Sequence, residues 1–303
     1  MALTEYVAVV SLTREITTRE LLLVSAAIQK QVTRDFAPIW GLPATVDAFE
    51  DLEAVPSDYY RVVVFGEPGE LATRLEFAIG EQNASLLLEA FDAERLTGVH
   101  LNAFTRQPFA VVALSEVWTV ATSHEILELI ADPYGNRLTA AKHPTRPDER
   151  VRYLLEVCDP CQSTWYPVNG VPVSDFYTPQ YFEPVSIDGF RYSFTGRLQH
   201  PLDILEGGYL TWIDPRDMAL YQLHGRDREP VLLRDLAEMA RTMAPLRSVV
   251  DADPQTPRVT ASSLNRATPR PITPGAFQAV AEASEGTART TAQAIASLAG
   301  GLG

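Results

Sequence analysis

Cysteine, lysine and long apolar runs are scarce in this 303-residue sequence, and each shortage excludes a class of protein. Two cysteines cannot build a disulfide framework. The positive charge is almost entirely arginine, and the formal net charge of -14 argues against nucleic acid and anionic membranes as partners. No run is long enough to span a bilayer, and the first residues lack the basic region of a signal peptide. We therefore expect a protein of the cytoplasm, or of a particle assembled in the cytoplasm.

The hydrophobic fraction of 46% suits a globular chain, and the pattern of apolar residues predicts an α+β fold. Thr17 and Glu20 have the spacing of a capping box, which predicts the start of a first helix. Strands are predicted by short apolar runs at residues 6–12, 44–49, 60–65, 109–114 and 151–157. Helices are predicted at residues 18–33, at 70–94 in one or two pieces, at 115–131 and at 231–243.

The composition changes near residue 250, and this change predicts three parts. Residues 1–249 are expected to form one α+β domain with a mixed sheet. Residues 250–274 are rich in Pro and Thr, which predicts a linker. Residues 275–303 are rich in Ala, and a short terminal helix is predicted there over 276–298.

The helix predicted at residues 115–131 is apolar on most sides, which predicts burial, yet it carries His124, Glu125 and Glu128 at its centre. A buried carboxylate is costly unless it is paired or binds a metal ion. His124 and Glu128 are one helical turn apart, so both can bind one ion, while Glu125 lies aside and can activate a water. Metallopeptidases with the H-E-x-x-H motif use this arrangement, with histidine where this chain has Glu128. A buried salt-bridge helix is the alternative.

Three separated segments resemble a known group of proteins. SHEILE (residues 123–128), followed by Asp132-Pro133, is similar to the S/A-H-E-L-x-E-x-x-T/S-D/N-P segment of plant exordium (phosphate-induced) proteins and of uncharacterised bacterial and fungal peptidase-like proteins. EVCDPC (156–161) resembles the E-I-x-D-x-C segment of that group, and VSDFYTPQYF (173–182) resembles its later aromatic segment. The resemblance covers residues 111–184 and implies a zincin-like fold with metal-dependent hydrolase ancestry.

The resemblance also implies roles for individual residues. His124 and Glu128 match the metal-ligand positions, Glu125 matches the general base, and Glu156 and Asp159 match an acidic pair downstream. A catalytic zinc takes three protein ligands and a water, and Asp159 is predicted as the third ligand, with Glu156 orienting His124.

The third ligand position has a second candidate. Asp132 lies two helical turns from His124, but Pro133 favours a turn there. The cofactor is therefore predicted to be a divalent metal ion, zinc by preference. The oxygen-rich donor set also admits Mn²⁺ or Ca²⁺.

Two cysteines, one histidine and three tyrosines are further residues considered for the site. Cys158 and Cys161 have C-x-x-C spacing, but no second cysteine pair exists, so packed thiols are expected rather than a redox or zinc site. Among the remaining histidines, His100 precedes the strand before the helix and is placed to reach the site, although a surface or core position is the expected role of each. Three tyrosines are candidates to donate a hydrogen bond to an oxyanion, although aromatic packing is the expected role of each: Tyr134, Tyr177 and Tyr181.

Together these features predict a peptidase-like, metal-dependent hydrolase acting on a peptide or protein substrate. The strand at residues 109–114 is expected to align an extended substrate by strand addition. The alternative is a catalytically inactive zincin-like structural protein of a phage, a tail or another particle, docked on its assembly through residues 276–298.

Overall fold

The computed structural model describes residues 4–93, 96–227, 229–236, 250, 253–273 and seven positions between 275 and 286. These residues combine α-helices with two five-stranded sheets and one three-stranded sheet, which confirms the α+β class. No helix in this part of the chain is both long and apolar enough to cross a membrane.

The first sheet has the strand order β2-β1-β3-β5-β4. Its strands are β1 (Glu5–Ser11), β2 (Ala44–Phe49), β3 (Tyr60–Phe65), β4 (Gly98–Asn102) and β5 (Pro108–Ala113). All neighbouring pairs are parallel except β4 with β5, so β4 is an antiparallel edge strand. The four parallel strands are those that apolar runs predict, and β4 is an addition to them.

Five helices accompany this sheet, and the first two show how local chemistry sets their ends. The helices are α1 (Thr18–Gln31), α2 (Ala37–Trp40), α3 (Ala72–Ile79), α4 (Glu81–Asp92) and α5 (Trp118–Ala131). The predicted capping box is present, since Glu20 donates its backbone N–H to Thr17 and its side chain accepts from the Thr17 backbone. A π-helical turn, Val32–Phe36, leads from α1 into α2, and Pro38 lies in the first turn of α2.

Two further sheets lie beyond α5. The second sheet is antiparallel, with the order β12-β11-β10-β7-β6, and contains β6 (Leu138–Lys142), β7 (Arg150–Leu154), β10 (Tyr209–Asp214), β11 (Ala219–His224) and β12 (Val231–Asp235). The third contains β8 (Thr164–Val168), β9 (Val171–Ser174) and β13 (Asn265–Arg266). The helix predicted at 231–243 is wrong for 231–235, which pair with β11, and 237–243 lie outside the described residues. Short 3-10 turns occur at Pro68–Glu70, Asp159–Cys161, Pro179–Phe182 and Ala261–Ser263.

Helix α5 lies at the centre of the molecule. It packs against β3, β4 and β5 of the first sheet and against β9 of the third, and all twelve residues from 120 to 131 are buried. The hydroxyl of Ser123 accepts a hydrogen bond of 2.7 Å from the backbone of Ser174 on β9, which joins the two layers. The helix therefore carries its polar residues into a volume enclosed from both sides.

Part of the segment predicted as a linker is hydrogen-bonded to the domain. Within 253–273, Asn265 and Ala267 donate backbone hydrogen bonds to the carbonyl groups of Ser163 and Trp165 beside β8, at 2.7 and 2.8 Å. A Pro- and Thr-rich segment can satisfy its backbone groups on the edge of a neighbouring strand, and composition alone does not reveal this. The terminal helix predicted at 276–298 falls mostly outside the described residues.

Candidate metal centre

His124 and Glu128 face each other on α5 as their spacing predicts. The Nε2 atom of His124 lies 3.2 Å from Oε2 of Glu128, and the two side chains are 8% and 0% exposed. The second carboxylate oxygen of Glu128 accepts a 3.1 Å hydrogen bond from the backbone N–H of Cys158. The carboxylate is thereby held in place by a different segment of the chain.

Asp159 comes from the 3-10 turn Asp159–Cys161 and approaches the same histidine. Its Oδ1 atom lies 3.3 Å from Nε2 of His124. Burial lowers the pKa of His124, but the carboxylates of Glu128 and Asp159 outweigh it and hold that pKa well above its ordinary value. The structure thus brings two of the predicted ligands, Glu128 and Asp159, to the imidazole nitrogen of the third, His124.

Glu125 points to a second histidine, which the sequence marks only as a residue within reach. Nδ1 of His100 lies 3.4 Å from Oε2 of Glu125 and 3.8 Å from Oε2 of Glu128. His100 lies on β4, where Val99 and Leu101 are buried beside it. An apolar-polar alternation from Val99 to Asn102 is the signal that would have predicted this strand.

Gly98 on β4 makes room for the proposed general base. A Cβ atom at this position would lie 2.8 Å from Oε1 and 2.9 Å from Cγ of Glu125. Both distances are shorter than real Cβ contacts, so only glycine lets Glu125 lie against the edge strand in this position.

The other two acidic candidates, Glu156 and Asp132, lie in different surroundings. Ligand atoms of Glu156, His100 and Glu128 all lie within 4.8 Å of one another, so Glu156 joins the His100 side of the cluster. Asp132 instead accepts a 2.6 Å hydrogen bond from the backbone N–H of Arg137 in the turn after α5. Burial raises the pKa of Asp132, and its geometry is that of a turn residue.

Cys158 and Cys161 are both buried free thiols. Burial raises the pKa of each thiol well above its usual value, and nearby carboxylates add to the effect. The Sγ atom of Cys158 lies 3.9 Å from the carbonyl oxygen of His124, and its ligand atom falls within 4.8 Å of those of His124 and Glu128. These surroundings agree with packed neutral thiols beside the acidic cluster.

The tyrosines named as oxyanion donors differ in their access to the cluster. Tyr134 is 49% exposed. Tyr181 donates its hydroxyl to the carbonyl of Asp203 at 2.8 Å. Tyr177 is fully buried, and its hydroxyl has no hydrogen-bond partner among the described residues. Burial, with Tyr181, Glu156 and other carboxylates nearby, raises the pKa of Tyr177 well above its ordinary value, so its hydroxyl stays protonated.

A narrow cleft leads to His124 and Glu125 from the surface. Its cavity volume is about 40 Å³, room for only a few waters. Its walls are Gly98 and its neighbours at the start of β4, the α5 face, and residues 256–259. The predicted substrate strand, β5, is not available, because β3 and β4 pair with its two edges.

Two imidazoles and four carboxylates therefore share one buried volume: His100, His124, Glu125, Glu128, Glu156 and Asp159. Imidazole nitrogen and carboxylate oxygen are donors that Zn²⁺ and Mn²⁺ accept. No protein-family profile matches the chain, and neither a curated protein nor a solved structure shows significant similarity to it.

Proposed function

We propose that the chain is a metal-dependent hydrolase of peptide bonds, with a divalent ion bound by His124, Glu128 and Asp159. The observation that supports this most is the approach of two buried carboxylates, at 3.2 and 3.3 Å, to one imidazole nitrogen. Three protein ligands leave a coordination position for water, as catalytic zinc sites require. Zn²⁺ is the ion we expect, and Mn²⁺ suits the oxygen-rich set as well.

The neighbouring residues suit the chemistry of hydrolysis. A bound divalent ion lowers the pKa of its water and polarises the substrate carbonyl. Glu125 is not among the three ligands and lies one residue along the helix from His124, so its carboxylate can take the proton of that water. Nδ1 of His100 lies 3.4 Å from Oε2 of Glu125 and can orient this carboxyl group.

Access to the site depends on residues 256–259. The cleft volume of about 40 Å³ is too small for a peptide, so a peptide substrate requires these residues to move. Gln162 holds them by donating to the carbonyl of Pro257 at 3.2 Å. We infer that this segment covers the site until substrate displaces it.

The test separates metal binding from catalysis. We expect Glu125→Gln to retain the metal and to lose hydrolysis of a quenched fluorescent peptide library by about 10²- to 10⁴-fold, the usual contribution of a general base. Glu116→Gln is the matched control, because Glu116 is exposed just before α5. Unchanged hydrolysis in Glu125→Gln would contradict the proposed mechanism.

A structural role is the second candidate, and the closed cleft favours it. A zincin-like protein of a phage, a tail or another particle needs no open site, and its docking through residues 276–298 stays a prediction. Its location in the cytoplasm, or in a particle assembled there, also stays a prediction. A protein that folds and assembles without metal, and hydrolyses no peptide, would support this role over the hydrolase.

A further inference from the structure

The buried cluster contains two overlapping groups of metal-ligating side chains. In one group, the ligand atoms of His124, Glu128 and Cys158 lie within 4.8 Å of one another. In the other, those of His100, Glu128 and Glu156 do so. Glu128 belongs to both groups. The proposed hydrolase site uses only the first side of this cluster, together with Asp159.

Glu128 lies between the two histidines. Its Oε2 atom is 3.2 Å from Nε2 of His124 and 3.8 Å from Nδ1 of His100. The two imidazoles come from different elements, α5 and the edge strand β4. A carboxylate held between two imidazoles in this way has the placement of a bridging ligand.

His100 faces the acidic cluster with one of its two ring nitrogens. It is 1% exposed, and its Nδ1 faces Glu125 and Glu128. Its Nε2 has no hydrogen-bond partner in the described part of the chain. Because Nδ1 is the nitrogen that faces Glu125 and Glu128, it is the atom through which His100 can bind an ion shared with Glu128.

The cluster holds more carboxyl groups than one ion position uses. Glu128 and Asp159 approach His124, and the ligand atoms of Glu156 lie on the side of His100 instead. Buried carboxyl groups are stabilised when a cation is bound between them.

We propose a second divalent-cation position formed by His100, Glu128 and Glu156, with Glu128 bridging the two ions. This inference rests on the proposed function, because the first position is the hydrolase site. Two ions in one site would divide the chemistry of amide hydrolysis, since one would activate the attacking water and the other would polarise the substrate carbonyl. Nitrogen and oxygen donors with no thiolate predict Mn²⁺ or Zn²⁺ as the occupant.

The test counts ions in the full-length protein after chelation and reloading with Mn²⁺. We expect about two ions per chain and a spin-coupled Mn²⁺ spectrum, as in two-metal sites. His100→Gln should retain about one ion with an uncoupled spectrum, since it removes one ligand of the second position only. His200→Gln is the control, because His200 is exposed and far in sequence from the site, and it should behave as wild type.

If circular dichroism shows that His100→Gln does not fold, Glu156→Gln is the second variant, because glutamine has nearly the same shape as glutamate. If the wild type binds one ion and neither variant changes that number, the second position is overturned and the proposed hydrolase site still stands. No ion in the wild type would overturn both. Loss of both ions from a folded His100→Gln protein would also overturn the proposal, since the first position does not include His100.

Discussion

Gly98 gives the sharpest test of the role assigned to Glu125. Replacing it with alanine adds one methyl group on β4, at a backbone conformation that any residue can adopt. That methyl carbon would lie 2.8 Å from Oε1 and 2.9 Å from Cγ of Glu125. Because Cγ is affected as well as the terminal oxygen, a simple rotation of the carboxylate does not remove the clash.

The magnitude follows from these distances. Ordinary contact begins at 3.4 Å, so Oε1 must move by at least the difference between 3.4 and 2.8 Å, which is about 0.6 Å. Misplacement of a catalytic group by 1 Å can reduce the rate about 10²-fold, so we expect kcat to fall by about 10- to 100-fold in Gly98→Ala. Overpacking also predicts a loss of about 1–3 kcal/mol in the free energy of unfolding.

The assay follows hydrolysis of the quenched peptide library together with metal content and unfolding by urea. Gly69→Ala is the matched control, since a Cβ atom at Gly69 meets nothing within 4 Å. We expect Gly98→Ala to retain its metal, because Glu125 is not a predicted ligand. Full activity with the metal retained would refute the reasoning. Loss of metal would also refute it, because Glu125 would then be a ligand rather than the base.

Two further predictions concern the cover over the cleft and the second sheet. Gln162→Ala removes the hydrogen bonds from the Gln162 side chain to the carbonyl groups of Gly207 and Pro257, so kcat/KM for peptides should rise, and an unchanged or lower value would contradict a covering role for residues 256–259. Hydrogen bonds and charge from Arg216, with Arg146 nearby, lower the pKa of Asp214 to about 2. Since this pKa is depressed in the folded state, its stabilisation is present above the ordinary value near 4 and is lost as the pH falls towards 2. Urea unfolding between pH 5 and about 2 should therefore show a steeper loss of stability in wild type than in Asp214→Asn, and parallel curves would contradict it.

The helix at the centre of the site was predictable because its signal is local. Helical periodicity brings His124 and Glu128 to one face, and the apolar residues around them predict burial. The approach of Asp159 was expected from the resemblance to exordium-like proteins, and periodicity alone could not supply it. A contact between residues more than 30 positions apart depends on the tertiary fold.

The elements that were missed depend on neighbours that are distant in sequence. The strand β4 is short, and it forms because β5 provides a partner for its backbone groups. Residues 253–273 have the composition of a linker, yet they lie on the domain because the edge of β8 and nearby carbonyl groups accept their hydrogen bonds. In both cases the decisive partner lies elsewhere in the chain, so local composition does not reveal it.

The approach of Gly98 to Glu125 was equally hidden from the sequence. A glycine within a strand indicates a close approach of another group, but it does not say which group approaches. His100, two residues further along β4, shares this limit: its role depends on the position of α5 against the edge strand. The structure is therefore needed to identify site residues on this edge strand, because their role depends on how α5 packs against the sheet.

The most direct test of the central claim is the metal content of the purified full-length protein, measured by elemental analysis beside His124→Ala. We predict at least about one divalent ion per chain in the wild type and loss of the ion at the first position in the variant, since an imidazole ligand is removed. A folded wild-type protein that binds no divalent ion, or a variant with unchanged metal content, would contradict the account.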